Sequence, residues 1–273
     1  MDWARTKGKP LMAKVTNWPT ISLPEGALVV GDLHLDVFEL ERLRRFREWC
    51  EDLCASHLLI LGDLFEFWVG RHQLGLPGTA EVVLGLQGLV ERGVGVDVVH
   101  GNRDYLLGVP FEEASGARVF PQGVRCVAGS LQSPSGEGTL FLHGDELCSA
   151  DRSYQFLRRV VRSRPLRTLQ CSLPFSVQLR LARSLRRASA RSTSAKAMGQ
   201  VQMVPETASG LAALAGSQTL VCGHAHRWRE ECAEDLRWIV LDAWGGERDA
   251  VQLCAGRWEG VSSGIKLPPA PVR

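Results

Sequence analysis

Short apolar runs recur along the chain at Ala27–Val30, Leu58–Leu61, Val96–His100, Thr139–Leu142 and Thr219–Cys222, four followed by a glycine and one by a histidine. Runs this short, rich in Val, Leu and Ile and closed by turn residues, predict buried strands. Between the early runs the period changes. Phe38, Leu43, Phe46, Trp49, Cys50 and Leu53 recur at helical spacing with Glu39, Arg42, Arg45 and Glu48 between them, which predicts a helix whose apolar stripe packs into the core. Thr79–Arg92, ended by Gly93, predicts a second helix, and Phe111–Ala114 a short third. Ala117–Phe120 and Val124–Ala128 read as further strands, followed by a Ser/Gly/Pro turn from Ser133 to Gly138. Trp238–Asp242 and Ala250–Cys254 read as late, hairpin-like strands. Strands alternating with helices, then hairpin-like strands, predict an α/β protein of two packed mixed sheets flanked by helices.

Three stretches fall outside that rhythm. Residues 1–25 carry polar and proline punctuation and are expected to form an N-terminal extension of low order; residues 261–273, ending Pro268-Pro-Ala-Pro271, read as a loose C-terminal tail. The main domain then spans 26–260. Within it, residues 149–199 are helical in character, broken at Pro165 and Pro174, with no evident strand. This segment must leave the sheet edge and return to it, as an inserted helical cap would.

Composition changes this picture little. The chain has 273 residues, 45% hydrophobic and 23% charged, with a formal net charge of +2, as expected of a globular domain with a substantial core. Distribution of charge says more: Arg152 to Lys196 holds twelve Lys or Arg and no Asp or Glu. The eight cysteines form no C-x-x-C pair, and Cys126, Cys222 and Cys254 sit in strand-like runs as small hydrophobes. A chain of this size needs no disulfide framework, so a reducing cytoplasm is expected. The first 24 residues lack the apolar core of a secretory signal, and no segment approaches the ~20 apolar residues that span a bilayer.

The chemistry lies where the apolar runs end. Gly31-Asp32-Leu33-His34, Gly62-Asp63, Gly101-Asn102-Arg103-Asp104, His143-Gly144-Asp145 and Gly223-His224-Ala225-His226 each place a metal-ligating side chain just after a predicted strand. Residues at the carboxyl ends of such strands converge on one sheet edge. One Gly-Asp is usually only a turn, but five such segments in order are hard to explain as turns. Asp, Asn and His together suit Mn²⁺, Fe²⁺ or Zn²⁺, and the absence of Cys argues against a structural zinc.

This ordered set resembles the calcineurin-like metallophosphoesterase superfamily, whose pattern is Asp-x-His, Gly-Asp, Gly-Asn-[His/Arg]-Asp, a lone His and Gly-His-x-His. The match spans roughly residues 27–245 and implies a four-layer αββα sandwich holding two divalent ions. Asp63 would bridge them, Asp32, His34 and His226 would complete one shell, and Asn102, His143 and His224 the other. A water activated between the ions would attack phosphorus in line. Arg103 stands where many members carry His. Arginine cannot donate a proton near neutral pH, but its fork grips phosphate oxygens. A site lacking that acid suits a leaving group already stable as an anion, such as phosphate leaving a phosphoanhydride.

Flanking residues narrow the resemblance. Leu61-Gly-Asp-Leu-Phe-Glu-Phe-Trp68, His100-Gly-Asn-Arg-Asp-Tyr-Leu-Leu-Gly108, His143-Gly-Asp-Glu-Leu-Cys148, Asp151-x-x-Tyr154-Gln155 with Arg158 and Arg162, and Gly223-His-Ala-His-Arg227 are similar to the UDP-2,3-diacylglucosamine hydrolases of lipid A biosynthesis. That family releases UMP and the acyl sugar 1-phosphate, uses Mn²⁺, and works at the cytoplasmic face of the inner membrane. The resemblance implies a catalytic group of Asp63, Asn102, Arg103 and His224. It implies substrate contacts from Asn102, Arg103, His224, Asp151 and Tyr154, and from Ser189 and Lys196 in the cap. Thr193 replaces an Asn common in the family, and the stretch 197–201 departs from its usual sequence. Rival expectations are a metallophosphoesterase acting on a nucleotide or phosphodiester, and a scaffold that has lost the chemistry; an intact ligand set argues against the scaffold. In the cap, Ser176–Ala190 places Val177, Leu181, Leu185 and Ala188 on one side, with Arg180, Arg183 and Arg187 on others. This suits a lid over acyl chains or a helix lying on anionic lipid, whereas sparse interleaved aromatics argue against nucleic acid.

Overall fold

The computed structural model describes residues 17–127, 138–184, 202–233 and 235–265. Sheet B has the order β12-β11-β2-β3-β4-β5 and sheet A the order β1-β6-β7-β8-β10-β9. In sheet B, β2 (Leu28–Val30), β3 (His57–Ile60), β4 (Gly95–Val99) and β5 (Arg118–Phe120) run parallel, and β11 (Ala250–Cys254) and β12 (Arg257–Val261) extend it antiparallel. Sheet A holds β1 (Thr20–Ile21), β6 (Val124–Val127), β7 (Gly138–Leu142), β8 (Ser217–Cys222), β9 (Arg229–Ala233) and β10 (Leu236–Val240). There β7, β8 and β10 are parallel.

Strand periodicity builds the layers. In β2 and β3, Leu28, Val30, Leu58 and Ile60 face α1 (Leu40–Asp52) and α2 (Pro77–Glu91), in a core that also takes Phe111 of α3 (Val109–Ser115). Their neighbours Val29 and Leu59 point the other way, against Phe141, Val221 and Ile239 of sheet A. The far face of sheet A packs Leu140, Leu220 and Val240 on Ala208 and Leu211 of the helix Pro205–Leu214. The order is helix, sheet, sheet, helix, as expected. Strand positions covered on both faces are mostly apolar, which is why the runs read as nearly unbroken.

Between β7 and β8 lie α4 (Arg152–Val161), α5 (Arg164–Ser172) and helical residues 175–184; no described residue of this segment is in a strand. Neither α4 nor α5 has a buried residue.

Several expectations are corrected. Residues 18–24 are not of low order: β1 pairs with β6, and Trp18, Ile21 and Leu23 are buried. The start of the tail is anchored too. Val261 pairs with Ala250, and the Ser263 N–H and hydroxyl donate to Asp249 at 2.6 Å each. Phe38 is 49% exposed, because it precedes α1 and lies beneath the Arg183 guanidinium rather than in the helix stripe. Cys254 is only half-buried. The expectations at residues 1–16, Ala128, the turn 133–137, Leu185 to Ala190, Thr193, Lys196 and 197–201, and the end of the tail lie outside the described residues.

Candidate metal centre

Each of the five parallel strands β2, β3, β4, β7 and β8 ends, and the chain then turns sharply at a candidate ligand. Among the described non-glycine residues, six adopt positive φ, and five of them are Asp32, His34, Asp63, His224 and His226. A left-handed backbone costs L-residues on the order of 1–3 kcal/mol and persists where function imposes it. The motif glycines let the loops close in. A Cβ on Gly101 would lie 2.1 Å from Asp63 Oδ1, and one on Gly223 2.5 Å from Asp32 Oδ2.

The loops bring all seven expected ligands together. His34 Nε2 is 3.0 Å from His226 Nε2, which lies 3.5 Å from Asp32 Oδ1. Asp63 Oδ2 sits 3.8 Å from both His34 Nδ1 and His143 Nε2, midway between two clusters. Asn102 Oδ1 and His224 Nδ1 lie 3.1 and 3.2 Å from His143 Nε2. Among the described residues, two sets of His, Asp or Glu side chains have ligand atoms close enough to share an ion: Asp32, His34 and His226, and Asp32, Asp63 and His143. Asp32 is therefore common to both sets, a position that the superfamily resemblance gives to Asp63 alone.

Do these residues fit cations? The buried Asp32 Oδ1 and His34 Nδ1 have no hydrogen-bond partner among the described residues. Asn102 presents its amide oxygen to acceptors; reversed, its NH₂ would reach Asp63 Oδ2 at 2.8 Å. His143 Nδ1 donates to the Leu61 carbonyl at 2.9 Å, so that in the neutral ring it is Nε2 that offers its lone pair to the cluster. The donor set and these orphaned atoms fit two divalent ions.

Charge in the bare site is correspondingly uneven. Burial, with Asp104 and Asp32 nearby, pushes the Asp63 carboxyl up to about 7. Burial also holds His34 and His224 neutral, lowered to about 2 and about 4. For Asp32, burial is outweighed by His226, His143 and His34, which hold it well below the carboxylate range. Burial of His143 is likewise outweighed by Asp63, Asp32 and Asp145, which raise it to about 9. The stability that protonated His143 contributes is complete below its ordinary value of 6.5 and lost as pH rises through about 9. His226, raised mainly by the Asp32 carboxylate 3.5 Å away, acts in the same sense. Chelated protein should therefore melt at a lower temperature near pH 9 than at 6.5, and Mn²⁺, which binds neutral imidazole, should remove that loss. Calorimetric melts with chelator and with Mn²⁺ check this; a chelated protein that gains stability over this range contradicts the assigned charges.

Arg103 lies at the cluster. Its N–H donates to Asp63 Oδ1 at 2.9 Å, its Nε is 3.4 Å from Asp63 Oδ2, and its Nη1 pairs with Glu66. Glu66 was not singled out from the sequence. It is buried and also lies 3.7 Å from His34 Nδ1. The Gly-Asp-Leu-Phe-Glu run contains it, but no spacing rule marks it as part of the site. Asp104, another motif acid, accepts from the N–H groups of Gly101 and Leu64 and ties the Asn102 loop to the Asp63 loop. Asp151 caps α4, accepting from Tyr154 N–H at 3.0 Å, while the Tyr154 hydroxyl donates to Asp145. Ser189 and Lys196 lie outside the described residues.

Two stacked mixed sheets with Asp, Asn and His gathered at five strand ends define a metallophosphoesterase. Proteins named UDP-2,3-diacylglucosamine hydrolase are similar over most of the chain: that of Stutzerimonas stutzeri (strain A1501) is 32% identical over 83% of this chain and 94% of its own, and that of Azotobacter vinelandii (strain DJ / ATCC BAA-1303) is 32% identical over 90% and 98%. The chain belongs to the UDP-2,3-diacylglucosamine hydrolase family. No protein-family model matches it. Among solved structures, a dimetal phosphatase from Danio rerio is 11% identical with a TM-score of 0.41, covering 88% of this chain and 97% of that one.

Proposed function

We propose that this protein hydrolyses the pyrophosphate bond of UDP-2,3-diacylglucosamine, releasing UMP and 2,3-diacylglucosamine 1-phosphate. The observation that carries this is Arg103, which stands at the centre of the ligand cluster where a proton donor would serve an ester. When bound, the two ions would lower the pKa of water and offset charge on the diphosphate. Asp32, His34 and His226 would hold one ion, Asn102, His143 and His224 the other, and Asp63 would lie between. Arg103 would grip the diphosphate oxygens, held in place by Asp63 and Glu66. The leaving phosphate departs as an anion and needs no acid. Mn²⁺ suits the nitrogen ligands better than Mg²⁺, which dehydrates reluctantly and prefers oxygen. Chelation should abolish turnover and Mn²⁺ should restore it better than Mg²⁺; full activity in excess chelator would refute the metal requirement.

The helices between β7 and β8 would form a cap for the acyl chains, with Asp151, Tyr154, Ser189 and Lys196 toward the sugar and phosphate. Its outer surface suits a membrane: Phe156 is 65% exposed, and Leu157, Val160 and Leu169 are exposed beside the arginines of α4 and α5. No helix of the described residues is long and apolar enough to cross a bilayer. Resemblance to the lipid A enzymes, with this exposed apolar and basic surface, supports peripheral binding at the cytoplasmic face of the inner membrane. The protein should cosediment with vesicles rich in anionic lipid and release as salt screens the charges over about 8–10 Å. Indifference to both lipid charge and salt would make the basic run an ordinary solvated surface.

A further inference from the structure

Helix α4 is attached by polar contacts, having no buried residue of its own. Three of them meet at one carboxylate. Asp145 is fully buried, and its Oδ2 accepts from Tyr154 Oη at 2.8 Å, Arg158 Nε at 2.6 Å and Arg162 Nη2 at 3.4 Å. These donors sit at i, i+4 and i+8, one stripe along α4 and its end. The same Arg162 Nη2 donates to the Gly101 carbonyl at 2.8 Å, in the peptide that leads into Asn102. Its guanidinium also lies over the Tyr105 ring, whose hydroxyl donates to Gln170 of α5. Asp145 itself is separated from His143 only by Gly144. One buried carboxylate thus joins the cap to the two loops that carry Asn102 and His143.

We infer that Asp145 is a positioning residue that couples the seating of α4 to the geometry of the metal centre. The inference rests on the metal-centre reading above and adds the cap as its partner. Separating a buried carboxylate from its arginines is strongly unfavourable, so the contacts make and break together. When α4 is seated, Arg162 holds the Gly101 peptide and Asp145 holds the turn after His143. When α4 lifts, both loops lose a restraint on a ligand. Coupling of this kind is reciprocal: what the cap does for ion affinity, ions must do for cap order.

The test uses the full chain stripped of metal, with Mn²⁺ as the probe. Calorimetry counts the ions and their affinities, and hydrogen exchange follows the α4 amides with and without Mn²⁺. Wild type should bind two ions, and Mn²⁺ should slow α4 exchange about tenfold or more. Asp145→Asn should lose affinity for one ion by about 10–100-fold, the range for outer-shell partners, and lose most of the Mn²⁺ effect on α4. Arg162→Lys keeps a charge near Asp145 without the fork that spans both acceptors, so it should show a smaller loss; it carries the test if Asp145→Asn does not fold. Glu48→Gln, at an exposed position on α1, should behave as wild type. The coupling is overturned if wild type binds two ions without any change in α4 exchange, or if both network variants bind as wild type does. Wild type that binds no Mn²⁺ overturns the metal-centre reading and the coupling with it.

Discussion

Asp63→Asn will abolish hydrolysis in a protein that still folds, the largest loss expected of any single substitution. Asp63 Oδ2 lies 3.8 Å from His34 and from His143, one in each cluster, so its negative charge serves both ions. An amide of the same shape keeps an acceptor for the Arg103 N–H but removes that charge. The rate should fall at least on the order of a thousandfold, beyond the ~10–100-fold typical of outer-shell partners. Stability should move the other way. Burial and the nearby Asp104 and Asp32 already push the Asp63 carboxyl up to about 7, so a neutral side chain relieves repulsion when no metal is bound. Chelated Asp63→Asn should melt no lower than chelated wild type at neutral pH. Steady-state rates and melts of Asp63→Asn beside His34→Ala decide the matter. If Asp63→Asn were the more active of the two, the bridge would belong elsewhere, and Asp32, common to both candidate ion sets, would be the alternative.

Substitutions at Arg103 should separate anhydride from ester chemistry. Arg103→Ala should lower the rate by about 10²–10³-fold, the range for removing one preorganised donor to developing charge. Arg103→Lys should recover only part, because an ammonium keeps the charge but not the planar fork. Arg103→His introduces a group that can donate a proton near neutral pH. It should slow cleavage of the UDP-diacylglucosamine anhydride while leaving slow hydrolysis of an alkyl or aryl phosphate ester equal or improved. Glu66 makes the lysine result informative, since it offers the shorter side chain a carboxylate to pair with away from the diphosphate. Wild-type protein that cleaved an alkyl ester as readily as the anhydride would remove the chemical reason for arginine at this position.

Much of the fold could be read from local pattern. Leu28–Val30, Leu58–Ile60 and Leu220–Cys222 lie in strands where apolar runs predicted them, because strand positions covered on both faces are mostly apolar. Helix α1 followed from its stripe, with Leu43, Phe46, Trp49 and Cys50 buried. Weaker local signals failed. A two-residue strand at Thr20–Ile21 is too short to show a period, and it exists only because β6 offers it a ladder. Phe38 fitted the helical spacing of α1 but lies before the helix begins, so the spacing no longer describes where its ring points.

The site divides along the same line. By itself the sequence determined which residues stand just past strand ends, since an apolar run followed by glycine both ends the strand and turns the chain. That placed Asp32, Asp63, Asn102, His143 and His224 at strand ends before any contact was known, but on the edge of one sheet, whereas the fold divides them between two. Only the tertiary structure decided which of these edges meet, because β7 and β8 lie in one sheet and β2, β3 and β4 in the other. Stacking the sheets brings His143 to 3.8 Å from Asp63, the pairing of β3 with β4 puts Glu66 against Arg103, and the return of α4 over the turn after β7 joins Asp145 to Arg158 and Arg162. A buried charge is tolerated only where its partners surround it, and those partners come from segments far apart in the chain. Local pattern carries strand ends; long-range packing alone supplies the partners that hold a charged site together.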